Sequence, residues 1–167
     1  AGVPDKKAQD CYIRLTDVNN TGEVKVHGPF TIRPRITSVT VVPAAADTGS
    51  SPVIWRADAT GQRVDWTDTS TQVSSVKIRL STGGIGGFPG TLLATKASTV
   101  NGVNSATDLV VPSTLTTNAM IRVEDDSAGY VYGDSATFRV LGKITPVAFP
   151  SNNVYVGNTS TPIQWAK

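Results

Sequence analysis

The chain has 167 residues, a charged fraction of 17% and a formal net charge of +2. Its basic residues are few and scattered, which excludes the electrostatic footprint of a nucleic-acid binder. No apolar run approaches the ~20 residues of a membrane-spanning helix, and Ser and Thr abound where Leu, Glu and Met are scarce, a balance that favours strands and polar turns.

The chain opens without an initiator Met or a signal sequence, so its start is expected to be a processed or excised end. Residues 1–34 read as the last strands of a sandwich unit. Cys11 is the only cysteine, which excludes an intrachain disulfide; beside Tyr12 on a strand-like segment it reads as a small buried hydrophobe. Asn19-Asn20-Thr21 is a glycosylation sequon in an expected turn. His27, the only histidine, precedes Gly28-Pro29 and has no Ser or carboxylate at a motif spacing, so it reads as an exposed turn residue rather than a catalytic base.

Residues 35–141 read as one whole unit. Period-2 alternation places strands near 36–42, 53–56, 63–67, 75–80, 91–95, 107–111, 119–124 and 137–141. Val76, Ile78 and Leu80 point one way with Lys77 and Arg79 opposite, and Ile121 and Val123 alternate with Arg122 and Glu124. One dry face and one wet face is the pattern of an antiparallel sheet packed on a second sheet. Between two of these strands, the run from Thr82 to Gly90 holds five glycines. It lacks the Lys-Ser/Thr ending of a phosphate loop and reads as a flexible connection; its Ile85 and Phe88 are candidates for docking on a neighbouring unit or chain. Trp66 is expected in the core, while Trp55, with Tyr130 and Tyr132, is the candidate platform for stacking a sugar. Glu124-Asp125-Asp126 with Asp134 offers oxygen ligands for calcium, but without the spacing of a known calcium loop it reads as a solvated acidic turn. No metal, cofactor or catalytic residue is expected anywhere in the chain.

Residues 143–167 read as the first strands of a further unit, with a second sequon at Asn158. The reason lies in an internal repeat. Sliding the chain by 108 positions superposes its first 42 residues on 109–150 without a gap, with nine identities: Val3, Pro4, Ile13, Arg14, Asp17, Phe30, Ile36, Thr37 and Val39. After a deletion of about nine residues, Val64-Asp65-Trp66 falls on Ile163-Gln164-Trp165. A period of ~100 residues is the size of an immunoglobulin-like sandwich. The fold class is therefore all-β, as tandem immunoglobulin-like β-sandwich modules, with Cys11–Asp17 equivalent to Ala119–Asp125 and with Phe30 and Phe138 buried alike. Separators as short as Arg33-Pro34-Arg35 and Leu141-Gly142-Lys143 make a stiff rod.

Several of these segments together resemble the Ser/Thr-rich, cell-wall Kre9/Knh1-like immunoglobulin-like domain. They are Ile144–Val147, Gly157–Thr159, Ile163–Trp165, Val76–Leu80, Val111-Pro112, Ile121–Asp125 and Ser135–Val140. The resemblance implies a secreted or cell-surface module, found in tandem and without catalytic residues. The expected function is a structural repeat of an extracellular fibre, filament or stalk whose partners are copies of itself in a head-to-tail array. The alternative is a carbohydrate-binding or adhesive module that meets cell-surface glycans. Two incomplete end units suggest a slice of a longer array, or ends that complete one another between chains.

Overall fold

Alternating apolar residues and polar turns build an all-β chain. The computed structural model describes residues 2–44, 47–148 and 164–166, with side chains as far as Ile144. The strands are β1 (Ala8–Thr16), β2 (Val24–Ile32), β3 (Ile36–Val42), β4 (Ile54–Arg56), β5 (Gln62–Asp68), β6 (Ser75–Ser81), β7 (Thr91–Ala97), β8 (Val103–Leu109), β9 (Thr116–Asp125), β10 (Tyr132–Asp134), β11 (Phe138–Leu141), β12 (Thr145–Ala148) and β13 (Gln164–Ala166). No helix among the described residues is long and apolar enough to cross a membrane.

Two sheets enclose the core. One has the order β3-β5-β8, and the other runs β4-β11-β9-β6-β7 with β10 also on β9. The alternation in β6 and β9 does what period 2 requires: Val76, Ile78, Leu80, Ile121 and Val123 are buried, while Lys77, Arg79, Arg122 and Glu124 face outward. These residues join Val64 and Trp66 of β5, Ala106 and Leu109 of β8, and Phe138 and Val140 of β11 in one apolar cluster. This layout fits a β-sandwich. Trp66 lies inside it as expected, 1% exposed, with its Nε1–H donated to Ser98 Oγ at 3.2 Å. Each such side chain contributes about 1.5–3 kcal/mol by leaving water.

Two elements differ from the sequence reading. β8 begins at Val103 rather than Thr107, because the Asn104 side chain is absorbed locally: it accepts from Thr99 N–H and donates to Thr99 C=O. Val111 lies beyond β8 and bonds instead to the turn before β5, its N–H to Ala59 C=O and its C=O from Asp58 N–H. β10 has no counterpart in the alternation pattern, since at three residues it is too short to show one.

β1 and β2 form a separate hairpin. Its pairings recur elsewhere when 108 is added to each residue number. Cys11↔Phe30 becomes Ala119↔Phe138, Ala8↔Ile32 becomes Thr116↔Val140, and Arg14↔Val26, Leu15↔Lys25 and Thr16↔Val24 become the pairings of Arg122, Val123 and Glu124 with β10. The turns coincide too. Asp17 N–H donates to Glu23 C=O as Asp125 N–H does to Val131 C=O, and each aspartate's Oδ1 accepts the N–H two residues on. At the other end, Thr145↔Ala166 and Ala148↔Gln164 mirror Thr37↔Thr67 and Thr40↔Asp65, bulge included.

The burial of the two regions differs. Phe30 is 37% exposed and Phe138 1%, so they are not buried alike, and Cys11 is only half-buried. No opposing sheet lies over β1 and β2 among the described residues, whereas β3-β5-β8 lies over β9 and β11.

Candidate functional site

The outer face of the larger sheet carries a row of paired charges. Register sets Arg122 of β9 beside Asp134 of β10 on one side and Arg79 of β6 on the other. The Arg122 guanidinium donates to Asp134 from Nε at 2.7 Å and from Nη2 at 2.9 Å, a fork that matches a carboxylate. Its central carbon also lies over two rings, 4.1 Å from the centroid of Phe88 and 3.9 Å from that of Tyr132. The hydrogen bond to Asp134 raises the arginine pKa further, fixing its charge. Beside it Arg79 pairs with Glu124, and Lys77 with Asp126 at 2.7 Å.

This face decides several expectations. Glu124, Asp126 and Asp134 are each paired with a cationic side chain on this face, respectively Arg79, Lys77 and Arg122, whereas Asp125 points inward and pairs with Lys7. The Phe88 ring lies over Arg122 and is half-buried, while Ile85 is 63% exposed. The glycine-rich run is a pinned turn rather than a slack connection. Ser81 Oγ donates to Gly84 C=O at 2.6 Å, and Gly84 has φ +66° with Asn118 so close that a Cβ there would clash.

The sugar platform does not assemble. Trp55 is fully buried, donates Nε1–H to Val42 C=O at 3.1 Å and meets Phe138 edge-on with centroids 5.0 Å apart. The cause is the register of β4, whose parallel pairing sets Trp55 beside Val140 in the core. Tyr130 is partly buried against the core, and one face of Tyr132 is taken by Arg122. Asn19 lies in the exposed turn between β1 and β2, and His27 is exposed on β2 opposite Ile13. Asn158 lies outside the described residues.

A third set of contacts, without any signature in the sequence, lies at the pole of the sandwich nearest the hairpin. Asp5 accepts hydrogen bonds from Ser70 Oγ, from Thr71 Oγ1 at 2.8 Å and from Thr71 N–H at 3.0 Å. These donors hold its carboxyl below the usual carboxylate range. Lys7 Nζ donates to Asp125 Oδ2 at 2.6 Å and to Ser127 Oγ at 2.7 Å. Arg33 reaches Tyr130 C=O at 3.4 Å. Behind this pole lies Asp68, a buried carboxylate that accepts from Ser70 N–H and Ser98 Oγ and is pushed up by burial.

No protein-family model, curated protein or solved structure matches the chain.

Proposed function

We propose that the chain is a structural repeat of an extracellular fibre, filament or cell-surface stalk, made of immunoglobulin-like sandwich units in tandem and acting through copies of itself rather than through catalysis. The observation that carries this reading is the recurrence of strand pairings, bulges and turn bonds 108 residues apart. Nine identities alone are a weak signal. Pairing registers are set residue by residue, and a slip of one would turn every side chain to the other face. Their agreement over two whole strand pairs supports units of one design. The unlike burial of Phe30 and Phe138 counts against the repeat, and the reading stands on the pairings and turn bonds alone.

Burial of Trp55 removes the anchor of a carbohydrate platform, so no observation favours the binding-module reading. Electron microscopy of the native material tests the structural one. Filaments or surface stalks with an axial repeat of one sandwich are expected; isolated compact particles would count against it.

A further inference from the structure

The contacts of Asp5 and Lys7 join the hairpin to a different unit, and they solve a problem that the sandwich poses by itself. The Asp125 side chain is 2% exposed, and a carboxylate so far from water is costly unless it is paired. Ser127 supplies its N–H and Oγ at 3.2 and 3.1 Å, which satisfies part of the acceptor capacity but not the charge. The cation comes from Lys7, 118 residues away and outside the sandwich. Asp17 makes the same turn bond to Asn19 N–H but is exposed, so water screens its charge. The neighbouring turn is likewise finished from outside. Ser70 Oγ accepts Gln72 N–H, Asp68 accepts Ser70 N–H, and the remaining donors, Ser70 Oγ–H with Thr71 N–H and Oγ1–H, converge on Asp5.

We propose that this pole, built by the turns at Ser70–Thr71 and Asp125–Ser127, is a docking surface for the unit that precedes it, and that Asp5 and Lys7 are its docking residues. The partner is a unit of the same class presenting a Pro-Asp-Lys-Lys segment ahead of its penultimate strand. Charge complementarity sets the fit: a carboxylate meets hydroxyl and amide donors, and an ammonium meets a nearly buried carboxylate two residues further on. The covalent connection at Arg33–Arg35, with Pro34 buried, is the other anchor, and Arg33 bonds to Tyr130 C=O beside it. With one anchor ahead of β1 and the other after β2, the hairpin cannot pivot about either alone. This inference rests on reading residues 1–34 as the end of a preceding unit, and it concerns this junction alone, since Ser113 and Leu115 stand at the positions that match Asp5 and Lys7.

Nitrogen-15 relaxation of the full 167-residue chain tests it. In the native chain, amides of β1–β2 and of the sandwich share one rotational correlation time. In Asp5→Asn/Lys7→Met the hairpin's effective correlation time falls roughly two-fold while that of the sandwich stays near its native value, as expected when a tethered element gains independent motion. Lys7→Arg retains the coupling and Lys7→Glu loses it. Both residues lie outside the sandwich, so unchanged amide shifts in β8 and β11, away from the Lys7 partner Asp125, certify the fold of each variant. A hairpin that tumbles independently in the native chain, or a double variant as rigid as the native one, overturns the docking surface. Those results leave the array untouched, whereas micrographs without filaments remove the array and leave the docking surface standing.

Discussion

The hairpin β1–β2 and the strand set β9–β10–β11 make the same backbone pairings and opposite use of their side chains. Ile13 is 50% exposed where Ile121 is fully buried, and Leu15 is 67% exposed where Val123 is fully buried. Register is thus a property of the strand pair and its turn, fixed by local hydrogen bonds such as those of Asp17 and Asp125. Burial is a property of what lies opposite. The same apolar face is worth several kcal/mol under a second sheet and almost nothing under water.

The sharpest way to break that comparison is at the paired phenylalanines. Phe138→Ala removes the ring that meets Trp55 edge-on and opens a cavity, and it should cost about 3–5 kcal/mol. Phe30→Ala, at the matching position of the hairpin, should cost no more than about 0.5 kcal/mol, as for other exposed sites. Urea titration followed by tryptophan fluorescence reads both. Equal losses would mean that the hairpin face is covered after all.

A smaller difference is expected at the paired turn aspartates. Asp125→Ala strands Lys7 and the Ser127 donors around a nearly buried site, at about 1–3 kcal/mol. Asp17→Ala removes one exposed bond to Asn19 N–H and should fall within about 0.5 kcal/mol of the native chain. A loss at Asp17 matching that at Asp125 would show that the shared turn bond, and not the charge pairing, carries the energy.

The same contrast explains what could be read in the sequence. β6 and β9 were legible because their alternation is long and one face is dry. Burial of Trp55 is not legible, because a three-residue strand shows no period and only its parallel pairing with β11 places it inside. The contact of Phe88 with Arg122 has no local signature, because its partner lies on another strand. Asp5 and Lys7 left no trace, since their partners are 65 to 120 residues away and polar residues near a chain start look like any solvated segment.

The subtlest test sets one carboxylate from each region against the other. Asp68, inside the sandwich, has its pKa raised, first by burial, against the lowering effect of the Ser70 N–H and Ser98 Oγ bonds. Asp5, on the hairpin side, has its pKa lowered by the Ser70 and Thr71 donors. For Asp68 the folded state binds its proton more tightly than the unfolded chain does. Its burial penalty is therefore absent below the ordinary carboxylate value, grows as pH rises through the window up to the raised value, and is fully present at neutral pH. Asp5 runs the other way: its contribution to docking is complete above the ordinary value and is lost as pH falls through the lowered one. Asp68→Asn should thus raise the melting temperature at pH 7, with an advantage that shrinks on acidification into the carboxylate range. Asp5→Asn should speed hairpin amide exchange at pH 7, with a defect that shrinks below the same range as the native aspartate also loses its charge. Melting curves and exchange rates over a pH series, each compared with the native chain, separate the two signs; an Asp68→Asn advantage that instead grows toward acid would place the cost of that site in its hydrogen bonds and not in its buried charge.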